Sequence, residues 1–232
     1  MANGLVRVPD PSNEPVRTYA PGSADRAALQ QRLQQMQAAP IDIPLIIGGQ
    51  AISTGMVATA VCPHDHRHVL ATVQQAGAVE VAQAVGAARE AWPAWSAMGW
   101  EARAAIFLKA AELLAGPWRD TLNAATMLNQ SKTVYQAEID AACELIDFWR
   151  FNASYMWQIY AGQPASGRGM WDYAEYRALE GFILAVTPFN FTSMINLQAR
   201  SLASSLLEGH APRAPTTRRA QCSTYCAGPH SG

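Results

Sequence analysis

Gly181-Phe182-Ile183-Leu184-Ala185-Val186-Thr187-Pro188-Phe189-Asn190-Phe191-Thr192 is the stretch on which the reading of this chain turns. Its first six residues are apolar on both faces, the pattern of a central parallel strand covered on two sides. The run ends at a proline-stiffened turn that carries one side-chain amide, Asn190. Ligands of open α/β sheets bind at the carboxyl ends of strands. A preorganised amide donor there can stabilise a developing oxyanion. An asparagine in a turn also commonly satisfies its own backbone, and the residues alone leave both readings open. A parallel strand needs a crossover and a partner strand. Nothing after Thr192 reads as that partner, so the predicted sheet is begun and not finished.

Upstream, the pattern is mostly helical. Val134, Ala137, Ala141, Leu145, Phe148, Asn152 and Met156 recur at three- and four-residue steps and predict one long helix over about 133–158. Glu138, Asp140, Glu144, Asp147 and Arg150 fill its polar positions, and Asp140 and Glu144 form a like-charge pair four residues apart. That face reads either as solvated or as turning Glu144 toward a site. Shorter helices are predicted over 27–37, 79–95, 102–115 and 118–128, with Val81, Ala84 or Val85, Ala88 and Trp92 on the covered face of the second and Pro93 ending or kinking it. Ala104 or Ala105, Leu108, Ala111 and Leu114 or Ala115 line the third. Residues 41–47 form an apolar run closed by Gly48-Gly49, and 57–61 and 68–73 read as strands joined by Pro63-His64-Asp65-His66. Trp171 to Arg177 alternates as a half-covered strand. Helices followed by an apolar strand with a special loop predict an α/β fold.

Composition narrows the partners. The chain has 232 residues, half of them hydrophobic, and a formal net charge of -1, which argues against nucleic acid or an anionic membrane. No stretch reaches the roughly 18 apolar residues of a membrane span. The polar start, with Pro9, Pro11 and Pro15, does not read as a secretory signal. Four cysteines in a chain this long make no disulfide framework and point to a reducing cytoplasm. From Met194 to Gly232 the character changes: four Arg, one Glu and no Lys, and no large aliphatic residue after Leu207. Such a segment is expected to stay disordered.

Two metal-like clusters read more simply without metal. In Cys62-Pro63-His64-Asp65-His66-Arg67-His68 the proline and aspartate favour a surface turn that scatters the three rings. Cys222-x3-Cys226-x3-His230 sits where little apolar surface exists to fold around an ion. No metal site is predicted. No Gly-x-Gly-x-x-Gly follows a strand, and no phosphate-cradling loop is present.

The 181–192 stretch resembles the strand-and-loop signature of aldehyde dehydrogenases, and Pro188-Phe189-Asn190-Phe191-Thr192 resembles the form found in their 1-pyrroline-5-carboxylate dehydrogenase branch. Gln130-Ser131-Lys132-Thr133, Gln136-Ala137-Glu138-Ile139-Asp140 and Glu144-Leu145-Ile146-Asp147-Phe148-Trp149-Arg150-Phe151-Asn152 agree, although Asn129 stands where a glycine is expected. The resemblance runs from about Val16 to Ser193. It implies an N-terminal arm over 1–40 and part of an NAD-binding domain over 41–193, the first strand of an incomplete Rossmann-like sheet. It implies Asn190 as the side-chain half of an oxyanion hole, Thr187, Pro188 and Phe189 beside NAD, and Glu144 and Phe191 beside substrate. The implied reaction is NAD-dependent oxidation of the small-molecule semialdehyde L-glutamate γ-semialdehyde to L-glutamate in proline degradation, by a homo-oligomer.

The family's later lysine, glycine-rich turn, glutamate base and nucleophilic cysteine have no counterpart in the basic tail 194–232, which reads as a frameshift or truncation near residue 193. Neither Cys222 nor Cys226 stands in a nucleophile's context. A chain of this kind is expected to be inactive alone, with poor solubility from an unpaired strand edge. Another aldehyde dehydrogenase branch and a non-enzymatic helical interaction module are the rival readings.

Overall fold

The structure, a computed structural model, describes residue 4, residues 7–188 and residues 190–192. The expected tail, with Cys222, Cys226 and His230, lies outside the described residues. Among the described residues, six α-helices and five strands run in the order α1 (Ala24–Ala38), β1 (Ile41–Ile43), β2 (Leu45–Ile47), β3 (Gln50–Ile52), β4 (Val57–Cys62), β5 (Asp65–Gln74), α2 (Ala78–Ala97), α3 (Trp100–Ala115), α4 (Arg119–Gln130), α5 (Val134–Ala137) and α6 (Glu144–Ala161). Between α5 and α6 the helix continues as a π-helical turn, Glu138–Cys143.

Each element has a local cause. Ser23 caps α1 by accepting from Arg26 N, and Gly48 and Gly49 take positive φ of 57° and 79° to close the β2–β3 hairpin. Thr133 and Gln136 form a capping box that opens α5. β5 is the centre of a three-stranded sheet, antiparallel to β4 (Val57↔Gln74) and parallel to β1 (Ile41↔Ala71). α3 packs on α6 through Ala111, Leu114, Leu145, Ile146 and Trp149. α1 packs on α4, where Tyr19, Leu29 and Ala124 are buried. Cys62, Leu70 and Leu128 join that layer to the sheet.

Of the predicted inward positions of α3 and of the long helix, Ala104, Ala111, Leu114, Ala137, Ala141, Leu145, Asn152 and Met156 are buried, while Leu108, Val134 and Phe148 are half-buried. Three expectations fail. α2 passes through Pro93 to Ala97, and its expected covered face is largely open, with Val81, Ala88 and Trp92 exposed, because among the described residues only the β2–β3 hairpin beside Ala87 and the segment at Leu179 reach it. Neither Trp171–Arg177 nor Gly181–Val186 is a strand. A strand exists through its neighbours' N–H and C=O groups, and the described residues supply none here. Instead 163–180 folds back on itself: Gln163 Oε1 accepts from Ala174 N at 2.8 Å, and Ser166 Oγ from Asp172 N at 3.0 Å. Trp92 Nε1 donates to Leu179 O at 2.5 Å, and Tyr176 Oη to Ile159 O at 2.8 Å.

The third failure is Glu138, expected on a polar face and found fully buried. Arg119, 1% exposed, faces it and also pairs with Glu14. Glu138 accepts from Tyr19 Oη at 2.9 Å, Arg17 N at 2.8 Å and Asn123 Nδ2 at 2.7 Å. Burial alone would raise this carboxyl, but the bonds from Arg119, Arg17 and Tyr19 outweigh it and hold the carboxyl below its ordinary value. The depressed value means stability that is present above about pH 4.5 and lost as the pH falls through the lower folded value. Breaking a buried pair by removing one charge costs roughly 3–5 kcal/mol. Urea unfolding of Glu138→Gln at pH 7 should therefore show a loss of about that size that shrinks below pH 4. A loss under about 1 kcal/mol at pH 7 would contradict the assignment.

Candidate active site

The Asn190 turn is seated on the C-terminal end of α4 and the loop that leaves it. Ser131 ends α4 in the left-handed region, φ 53° and ψ 32°. This turns the chain sharply between α4 and the Thr133 cap, and Lys132 projects from the corner. Its Nζ donates to Asp140 Oδ2 at 2.7 Å and to the backbone oxygen of Asn190 at 2.7 Å, and lies 4.8 Å from the centre of the Phe191 ring. With its amide oriented to satisfy both ends, Gln130 donates to the same Asn190 oxygen at 3.1 Å and accepts from Thr192 N at 3.2 Å. Thr192 is buried, its hydroxyl 2.6 Å from Thr126 Oγ1, which itself donates to Leu122 O. The turn is thus fastened by its backbone while the Asn190 side chain stays at the surface.

Of the residues singled out in the sequence, Asn190 and Phe191 sit together here, and Glu144 stands at the start of α6, partly buried. Burial raises the Glu144 carboxyl first and the nearby Asp140 raises it further, while Lys132 pulls it down. Thr187 and Pro188 are half-buried and joined to this group by the chain itself. Phe189 lies outside the described residues. Lys132 was missed as a site residue. The available signal was a lysine set between a helix end and a capping box, eight residues before an aspartate on the next helix.

Other chemistry-bearing groups stand apart. His64 packs its ring against the sulfur of Cys62, with Nε2 at 3.2 Å, and bonds Ser131 Oγ at 2.7 Å. Among the described residues no three His, Cys, Asp or Glu side chains gather closely enough to hold a metal. Cys143 is buried beside Glu138, and burial followed by that carboxylate pushes its thiol up to about 12, the opposite of an activated nucleophile.

The family model described as "Aldehyde dehydrogenase family" matches residues 52–211. The chain belongs to the aldehyde dehydrogenase family. It is 49% identical over 190 residues to "Delta-1-pyrroline-5-carboxylate dehydrogenase" of Agaricus bisporus, covering 81% of this chain and 35% of that one. It is 41% identical over 221 residues to "Probable delta-1-pyrroline-5-carboxylate dehydrogenase" of Schizosaccharomyces pombe, covering 94% and 40%. The crystal structure of the Mycobacterium tuberculosis Delta-pyrroline-5-carboxylate dehydrogenase bound with NAD superimposes with a TM-score of 0.82 at 46% identity, over 89% of this chain and 42% of that one. The chain therefore spans 35–42% of the length of these relatives. The mixed helices and strands described above are part of an aldehyde dehydrogenase fold.

The raised Glu144 carboxyl carries a stability consequence of opposite sign to that of Glu138. Its cost is absent below the ordinary value and complete above the raised one. Thermal melting of Glu144→Gln should give a higher midpoint than the parent at pH 7 and the same midpoint at pH 4. An equal or lower midpoint at pH 7 would refute the reading of a partly desolvated, crowded carboxylate.

Proposed function

We propose that this chain supplies one wall of the active site of an NAD-dependent dehydrogenase that oxidises L-glutamate γ-semialdehyde, the open form of 1-pyrroline-5-carboxylate, to L-glutamate. The observation that carries the reading is the Asn190 turn, with its backbone oxygen engaged by Lys132 and Gln130 and its side chain left at the surface. An amide held in this way donates from Nδ2 to a carbonyl oxygen as that oxygen takes on negative charge, and needs no reorganisation to do so. Phe191 offers an apolar ring to the aliphatic part of the aldehyde, and Glu144 a carboxylate to its polar end.

NAD, when bound, accepts the hydride lost by the aldehyde carbon. The described residues fit one edge of its seat. Thr187 and Pro188 form a half-buried strip two residues before the exposed Asn190. The pyrophosphate cradle is assigned to no described residue. The attacking thiol is likewise assigned to neither Cys62 nor Cys143, both buried and free. Free thiols fit a reducing compartment. Relatives from Dictyostelium discoideum and Bos taurus carry the word mitochondrial in their names, and our reading for this chain remains cytoplasmic. Among the described residues no helix is long and apolar enough to cross a membrane. A homo-oligomer is proposed for the assembled protein.

A chimera tests this reading. Residues 1–192 of this chain replace the matching segment of the Agaricus bisporus relative, and NADH formation from 1-pyrroline-5-carboxylate is followed. The chimera should turn over, and Asn190→Ala should lower kcat by roughly 100- to 1000-fold, the loss associated with one oxyanion donor. A folded chimera whose kcat is indifferent to Asn190→Ala refutes the assignment. The 232-residue chain alone should form no NADH.

A further inference from the structure

We infer that Lys132 is a positioning residue that clamps the Asn190 turn to the π-helical segment and so fixes where the Asn190 side chain points. The second half of this statement rests on the function proposed above; the clamp itself does not.

The case is geometric. Lys132 leaves the chain at the sharp corner after Ser131, and its side chain is 15% exposed. An ammonium group has three donors and no acceptor. Two of its neighbours are acceptors from different parts of the chain. Asp140 Oδ2 lies eight residues away on the π-helical turn, and Asn190 O fifty-eight residues away, each at 2.7 Å. The Phe191 ring covers a third direction at 4.8 Å. The charge therefore has a carboxylate for a counter-ion, a backbone oxygen to hold and an aromatic face to exclude water. A surface ion pair between Lys132 and Asp140 alone would be worth little. What sets this lysine apart is the long-range bond to the backbone carbonyl of Asn190 itself. Gln130 engages the same oxygen from the other side of the corner and bonds Thr192 N, so both ends of the turn are anchored by residues of one short loop. Fixing the carbonyl of Asn190 restricts the peptide that follows it, and Thr192 buried against Thr126 holds the far end of the turn, so the backbone from which the Asn190 side chain leaves is held in one place.

Hydrogen exchange on the full 232-residue chain reads the clamp, because the Thr192 amide donates to Gln130 and stays protected only while the turn is held against that corner. Lys132→Met should speed exchange of Thr192 by about 10- to 100-fold, the range for losing one bond to a charged group. Lys132→Arg should restore it to within about threefold, since the guanidinium can reach both acceptors. The amide of Trp149, in α6, should exchange at the parent rate in both variants. If Lys132→Met also loosens Trp149, Asp140→Asn is used in its place. It leaves the lysine present without its counter-ion and should loosen Thr192 with Trp149 unchanged. Parent-rate exchange of Thr192 in Lys132→Met or in Asp140→Asn, or failure of Lys132→Arg to restore it, overturns the proposal. An inactive chimera defeats the function reading and leaves the exchange result standing.

Discussion

The structure depends on one buried ion pair. Arg119 and Glu138 face each other with almost no access to water, and around them gather Tyr19, Arg17, Asn123 and Glu14. Two unmatched charges in such a place would be ruinous. Matched and hydrogen-bonded, they do something that apolar packing cannot. They tie the irregular arm at residues 14–19 to α4 on one side and to the π-helical turn on the other. Arg150 reaches the same Glu14 at 2.8 Å, and Asp147 accepts from Asn13 and from the backbone of Glu14, so the arm is fastened along a whole face of the helix. Apolar contact between α4 and the long helix comes from Leu122 beside Leu145 and Ile146 and from Met127 beside Val134, and the ion pair adds the arm to that junction.

That fastening also determines what the Asn190 turn rests on. α4 ends at Gln130, the corner at Ser131 swings the chain away, and the capping box at Thr133 restarts the helix. Because both helices are locked to Glu138 within their length, the corner between them is held at both ends. Lys132 and Gln130 sit on a rigid bracket, and the 190–192 turn is bolted to it through a backbone oxygen, a backbone N–H and a buried hydroxyl. The chemistry expected of Asn190 would thus be supported from beneath by groups that never touch a substrate.

Much of this was legible in the sequence, and the illegible part has a physical reason. The burial of Ala104, Ala111 and Leu114, and of Ala137, Ala141, Leu145 and Met156, follows from spacing alone, since a helix must hide its apolar stripe. The Gly48-Gly49 turn and the β4–β5 hairpin follow from turn chemistry. Glu138 could not be read this way. A carboxylate at a helical position looks solvated until its partners arrive, and they come from residues up to 121 positions away. The same blindness hid Lys132, whose significance lies in an oxygen 58 residues downstream. The Phe182–Val186 run failed in the other direction. Its apolar pattern describes the surroundings the segment is suited to, and strand pairing depends on neighbours that the described residues do not provide.

The π-helical turn gives the long helix a tolerance of length that its composition hides. One extra residue is accommodated by under-winding between Glu138 and Cys143, so the helix on either side keeps phase with its own neighbour: Glu138 toward Arg119 and α4, Leu145 and Trp149 toward α3. Loss of a single codon between Ala141 and Cys143 would let the turn relax to ordinary α-helix while the residues beyond it stayed on α3 and the ion pair stayed where it is. A codon lost after Glu144 has no such slack, and would turn every later side chain by about 100° about the helix axis. The short Ala141-Ala142-Cys143 segment is thus a slip joint, the place where this helix can change its residue count without changing which way it faces.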